Sequence, residues 1–162
     1  MKVRDVMSGT PASCDLGTNL GAAVEILWNR NCGILPVLNN QQVVVGVVTD
    51  RDLCIALGTR NRLPGEIYVG EIASRKVFSC KADDDVRFAL ATMAQAKVRR
   101  LPVVSAEGKL EGLLSMDDVA LHSRPVGLAR VGDLSNDDVV EAFKKIYQPA
   151  LPELVRRKES AA

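Results

Sequence analysis

The feature that most restricts this chain of 162 residues is that it contains the same pattern twice. Shifted by 66 positions, Val6 falls on Ile72, Ser13-Cys14 on Ser79-Cys80, Leu20 on Val86, and Leu27 on Met93. Further along, Leu35-Pro36-Val37 falls on Leu101-Pro102-Val103, Gly46 on Gly112, Thr49 on Ser115, and Asp52 on Asp118, with no gap. A long ungapped period of this kind marks one supersecondary unit built twice, each copy burying a face the other leaves open. One copy of about 60 residues is too small to bury much apolar surface alone.

Each copy reads as β-α-β-β-α. An extended stretch (residues 11–14 and 77–80) leads into a polar segment whose side-chain oxygens suit a helix cap. Helices are expected over residues 20–31 and 86–97, with Val24, Leu27 and Trp28 in one and Phe88, Leu90, Ala91 and Met93 in the other at helical spacing. Strands follow at residues 35–38 and 101–104, then at 43–48 and 110–114, and second helices start at Asp50 and Met116. The expected fold class is mixed α/β, the two repeats related by pseudo-twofold symmetry through their sheets. The expected division is residues 1–60 and 69–123 for the repeats, 61–68 for a linker and 124–162 for a C-terminal extension. In that extension, Ser135 with Asp138 can start a helix reaching Tyr147. Its stripe of Val139, Val140, Phe143, Ile146 and Tyr147 suits either the protein's own body or a partner. Pro149 and Pro152 are expected to end it, and residues 156–162 to fray.

Bulk properties narrow the function. A net charge of +1 and the lack of a basic stripe argue against nucleic acid as partner. No stretch reaches the roughly 18 apolar residues of a membrane span, and the first residues lack a signal peptide's apolar run. Cys14, Cys32, Cys54 and Cys80 form no CxxC pair, which suits small buried thiols in a reduced, cytoplasmic protein. With His122 as the one histidine, little material exists for a metal or histidine-based site. A catalytic site needs an activated nucleophile or base beside a placed partner, and none is visible.

Both copies carry Gly-apolar-apolar-(Thr/Ser)-x-x-Asp, as Gly46 to Asp52 and Gly112 to Asp118. The hydroxyl ends a strand and the acid follows one helical turn later, a pairing that suits a ribose diol, because a carboxylate accepts two hydrogen bonds from cis hydroxyls. The competing reading is a capping box. Asp, with a shorter arm than the usual Glu or Gln, is expected to reach back less well. The duplication favours two equivalent sites facing a shared interface.

The repeated unit, the Leu-Pro-Val strand and the Gly-x-x-(Thr/Ser)-x-x-Asp ending together resemble a tandem pair of cystathionine-β-synthase (CBS) domains, over roughly Val3 to His122. The resemblance implies a non-catalytic sensor that binds an adenosine-containing ligand between its repeats, needs no catalytic cofactor, pairs into a homodimer and signals to an effector that the sequence does not identify. By position, Thr49 with Asp52 and Ser115 with Asp118 would hold ribose. Adenine would sit against Thr10, Pro11, Ala12 and Ile34 in one cleft and Lys76, Val77 and Leu101 in the other, with the pairing of copies to clefts left open. Arg99 and Arg100, before the second Leu-Pro-Val, would reach phosphate, where the first copy has Gly33 and Ile34. That inequality is expected to favour phosphorylated ligand in the cleft of Ser115 and Asp118. Arg51 is a further phosphate candidate. The alternative is a scaffold whose clefts hold nothing.

Overall fold

The structure is a computed structural model that describes residues 1–128 and 132–149. The proposed ending of the last helix at Pro152 and the fraying of residues 156–162 lie outside these residues.

The first repeat contains β1 (Cys14–Asp15), α1 (Leu20–Asn29), β2 (Ile34–Leu38), β3 (Val44–Thr49) and α2 (Asp50–Thr59). The second contains α3 (Val86–Ala96), β4 (Arg100–Val104), β5 (Leu110–Ser115) and α4 (Met116–His122), and α5 (Asn136–Tyr147) follows. In the first sheet β1 runs parallel to β2 and β2 antiparallel to β3, with Leu35 opposite Val48. In the second, β4 and β5 pair in the matching register, Leu101 opposite Leu114. The extended stretch expected before α3 is reduced to a single parallel bridge, Cys80 with Val103. Local chemistry explains the helix starts. Asn19 caps α1 by accepting from the Ala22 amide at 2.9 Å, and Asp85 caps α3 by accepting from the Arg87 amide at 2.9 Å.

The repeats exchange their lead-in segments. Ser8 pairs with Leu113 on β5 through two backbone hydrogen bonds of 2.9 Å, so the start of the first repeat lies on the sheet of the second. Ser74 pairs with Val47 on β3 at 2.9 and 3.1 Å, the mirror exchange. Val3 and Val6 are accordingly buried in the core built on α3, β4 and β5, and Ile67 and Val69 in the core built on α1, β2 and β3. Each such side chain contributes about 1.5–3 kcal/mol by leaving water, so neither repeat is complete without the other's lead-in.

The motif glycines mark the crossings. A Cβ on Gly112 would meet the Ser8 carbonyl oxygen at 2.9 Å and Met7 Sδ at 2.7 Å, and one on Gly46 would meet the Ser74 carbonyl oxygen at 3.0 Å. Only glycine lets the exchanged backbone pass this close.

Four expected stripe positions face outward instead, the exposed Ala91 among them. Trp28 is 83% exposed, Phe88 66% and Val24 41%, while Leu20, Ala23 and Leu27 form the buried face of α1. In α3 the buried face is Val86, Ala89, Leu90 and Met93. The stripe of α5 is likewise Val139, Ala142 and Ile146, with Val140 and Tyr147 exposed. Through Val139, Ala142 and Ile146, α5 joins the core of the second repeat, which settles its apolar face onto the protein's own body. Of the thiols, Cys14 and Cys80 are buried, Cys32 is half-buried and Cys54 is exposed, the last contrary to expectation.

Candidate functional site

At each β-to-α junction the hydroxyl and the acid meet. Thr49 Oγ1 donates to Asp52 Oδ2 at 2.7 Å, the Thr49 amide donates to the same oxygen at 2.9 Å, and the Asp52 amide returns a bond to Thr49 Oγ1 at 3.3 Å. Ser115 and Asp118 repeat this at 2.6, 2.8 and 3.1 Å. Both pairs are therefore complete capping boxes, and the expectation that aspartate reaches back poorly is corrected: bonding the hydroxyl as well as the amide brings the short arm within range. Capping uses Oδ2 alone. Among the described residues, Oδ1 of Asp52 and of Asp118 makes no hydrogen bond, so each carboxylate keeps an oxygen for a further donor.

The exchange of lead-in segments pairs the clefts. One, of about 550 Å³, has Thr49 and Asp52 on one wall and Ser74, Lys76, Phe78 and Pro102 of the second repeat opposite. The other, of about 340 Å³, faces Ser115 and Asp118 with Thr10, Pro11 and Ala12 of the first repeat. Ile34 lines both. Each cleft thus joins the hydroxyl-acid pair of one repeat to the lead-in of the other, a pairing the sequence left open. Two expected wall residues lie elsewhere: Leu101 is fully buried in the core, and Val77 is not among the cleft's lining residues, where Phe78 and Pro102 stand instead. Phe78 was findable, since it is the repeat counterpart of Ala12. Its ring carries the Lys76 ammonium 5.1 Å from the centroid.

The charges divide unevenly. Arg51, Lys76, Lys97, Arg99 and Arg100 line the larger cleft against two carboxylates, Asp50 and Asp52. The smaller has Arg30 and Arg100 against Asp117 and Asp118. Arg100 lies between the two, its Nη2 3.8 Å from Asp117 Oδ2 and its guanidinium beside the space that a Cβ on Gly33 would enter. Arg99 lines the larger cleft and donates Nη1 to the Tyr147 hydroxyl at 3.2 Å. The placement of Arg99 with Ser115 and Asp118 is corrected accordingly, while Arg100 reaches both clefts. Arg99 precedes β4 and Arg100 opens it, and the exchange carries the start of β4 to the mouth of the first repeat's junction. Ile146 and Tyr147, which line the larger cleft from outside the repeats, were missed because nothing in the repeat pattern points to them.

Neither repeat-matched thiol has the lowered pKa of an activated nucleophile. Burial, with a neighbouring aspartate adding to it, pushes Cys14 and Cys80 up to about 12. Among the described residues no group of three or more His, Cys, Asp or Glu side chains is placed to hold a metal ion, and no helix is long and apolar enough to cross a membrane.

Fold and clefts together define a paired-repeat module: two β-α-β-β-α units with exchanged lead-ins and two inter-repeat clefts. The chain belongs to the CBS domain family, matching it over residues 3–59 and 69–124. It is 31% identical over 119 residues to an uncharacterised protein of Methanopyrus kandleri, covering 72% of this chain and 57% of that one, so this chain spans little more than half of that relative. It is 29% identical over 119 residues to Hypoxic response protein 1 of Mycobacterium tuberculosis, covering 74% of this chain and 82% of that one. Among solved structures, Hypoxic Response Protein I with two coordinated zinc ions matches at a TM-score of 0.69 and 27% identity, over 76% of this chain and all of that one. The CBS domain pair of protein MJ0100, in complex with 5′-methylthioadenosine and S-adenosylmethionine, matches at 0.69 and 23% identity, over 75% of this chain and 94% of that one, a likeness of fold.

Proposed function

We propose that this chain is a non-catalytic, cytoplasmic regulatory module that binds an adenosine-containing nucleotide of the AMP, ADP or ATP class in its inter-repeat clefts and signals by changing the angle between the repeats. One observation carries the reading. In each cleft a carboxylate is fixed by a helix cap through one oxygen while the other oxygen makes no hydrogen bond among the described residues, opposite the exchanged lead-in of the other repeat. A preorganised acceptor of this kind suits the two hydroxyls of ribose. The adenosine-type ligands held by the MJ0100 pair support the choice of base. The excess of cations supports the cleft of Thr49 and Asp52 as the one for the phosphorylated ligand, with Arg99, Arg100 and Arg51 as proposed phosphate contacts and Lys76 beside them. Lys76, Ile34 and the Thr10-Pro11-Ala12 segment form walls for adenine. Binding acts on the angle only as far as the ligand prefers one arrangement, and the exchanged lead-ins make each cleft a joint between repeats. The module works as a homodimer and reports to an effector protein.

A thermal-shift screen tests this. A ligand at a hundredfold its Kd adds about 2.7 kcal/mol, which raises Tm by about 5–10 °C for a chain of this size. AMP, ADP, ATP or S-adenosylmethionine is expected to do so, and GMP less. No shift with any of them at millimolar concentration overturns the reading in favour of a scaffold, the role to which the exposed Trp28 of α1 would then be assigned.

A further inference from the structure

Although α5 lies outside both repeats, its last turn lines the larger cleft through Ile146 and Tyr147. Three contacts seat that turn. Ile146 is buried in the second repeat's core. Lys97, the left-handed C-cap of α3 at φ 58°, donates its ammonium to the Gln148 carbonyl at 3.1 Å and also to that of Lys145, holding the helix's terminal carbonyls. Tyr147, its ring stacked on Phe143 at 6.2 Å between centroids, accepts a hydrogen bond from Arg99 Nη1 at 3.2 Å. The first repeat has neither part of this arrangement: Gly33 stands at the counterpart of Arg99.

Resting on the nucleotide reading of that cleft, we infer that Tyr147 is a positioning residue for phosphate recognition and that the end of α5 completes the site. A guanidinium has five N–H donors, of which the Tyr147 hydroxyl engages one, and the others remain for the forked contacts that phosphate oxygens favour. An unrestrained arginine gives up side-chain freedom when it grips an anion. The bond to Tyr147 removes part of that freedom beforehand, which strengthens binding without adding a contact to the ligand. By reciprocity, phosphate in the cleft tightens the seating of α5 by the same factor that the seated helix tightens phosphate binding. The C-terminal helix is then the element that distinguishes a phosphorylated ligand from its nucleoside and that moves in response to it.

Titration calorimetry with AMP and with adenosine on the wild type, Tyr147→Phe, Arg99→Ala and the double variant tests this. Tyr147→Phe keeps the ring and removes only the hydroxyl. It is expected to weaken AMP binding about two- to tenfold while leaving adenosine unchanged, and to add nothing to the loss in Arg99→Ala. Unchanged AMP affinity, or an equal loss for adenosine, overturns the positioning role and leaves the nucleotide reading standing. A wild type that binds neither compound overturns that reading and this inference with it. A second readout is amide hydrogen exchange of α5 in the wild type: AMP is expected to slow it and adenosine not to, and equal exchange with both overturns the coupling.

Discussion

At the scale of single residues, the motif serves the fold as a helix cap, and we propose that it also serves the site. Asp52 and Asp118 begin helices with one oxygen, and among the described residues the other makes no hydrogen bond, so the cap that the sequence posed against a ribose ligand is present and still leaves an oxygen for the proposed ligand. The choice was undecidable from sequence because a capping box and a ribose clamp call for the same residue types at the same spacing. The motif glycine was legible as a repeat position but not as a crossing, since the backbone it admits comes from the other repeat. Gly112→Ala, forced against the Ser8 carbonyl, is expected to destabilise by about 1–3 kcal/mol. Gly58→Ala, in the last turn of α2 with nothing within 4 Å of the added carbon, should be neutral or stabilise by up to about 1 kcal/mol. Urea denaturation of the two variants checks this, and an equally stable Gly112→Ala would contradict the crossing as the reason for glycine.

At the scale of elements, helices and strands were read closely, and their faces less well. Periodicity in α1 admits Val24, Leu27 and Trp28 as one stripe, yet the core takes Leu20, Ala23 and Leu27. The counterpart of Val24 is Leu90, which is 4% exposed on α3, in the cluster that Val139, Ala142 and Ile146 of α5 also join. With no α5 over the first repeat, the outer face of α1 is uncovered among the described residues, and we propose it as the face of the proposed homodimer. Val24→Ser with Trp28→Ser should leave Tm nearly unchanged, because both side chains are already exposed, and convert dimer to monomer in light scattering. A variant that stays dimeric would place the contact elsewhere.

At the scale of the whole molecule, duplication was the most legible property and exchange the least. An ungapped repeat states that two units exist; it does not state that Val3 and Val6 complete the core of the second unit or that Ile67 and Val69 complete that of the first. That exchange puts Arg99 in the cleft of Thr49 and Asp52, against the assignment drawn from sequence neighbourhood. It also makes each cleft a contact between repeats, which is the geometry on which the proposed coupling of ligand to their relative angle rests. The most direct test is titration calorimetry with AMP on the wild type, Asp52→Asn and Asp118→Asn. Asparagine keeps an acceptor for the helix cap but gives up the charged acceptor for ribose, a loss of roughly 1.5–3 kcal/mol, or about ten- to a hundredfold in Kd. The account predicts that Asp52→Asn, in the cation-rich cleft, loses AMP affinity by that factor with its helices intact by circular dichroism. Wild-type AMP affinity in both variants would contradict it.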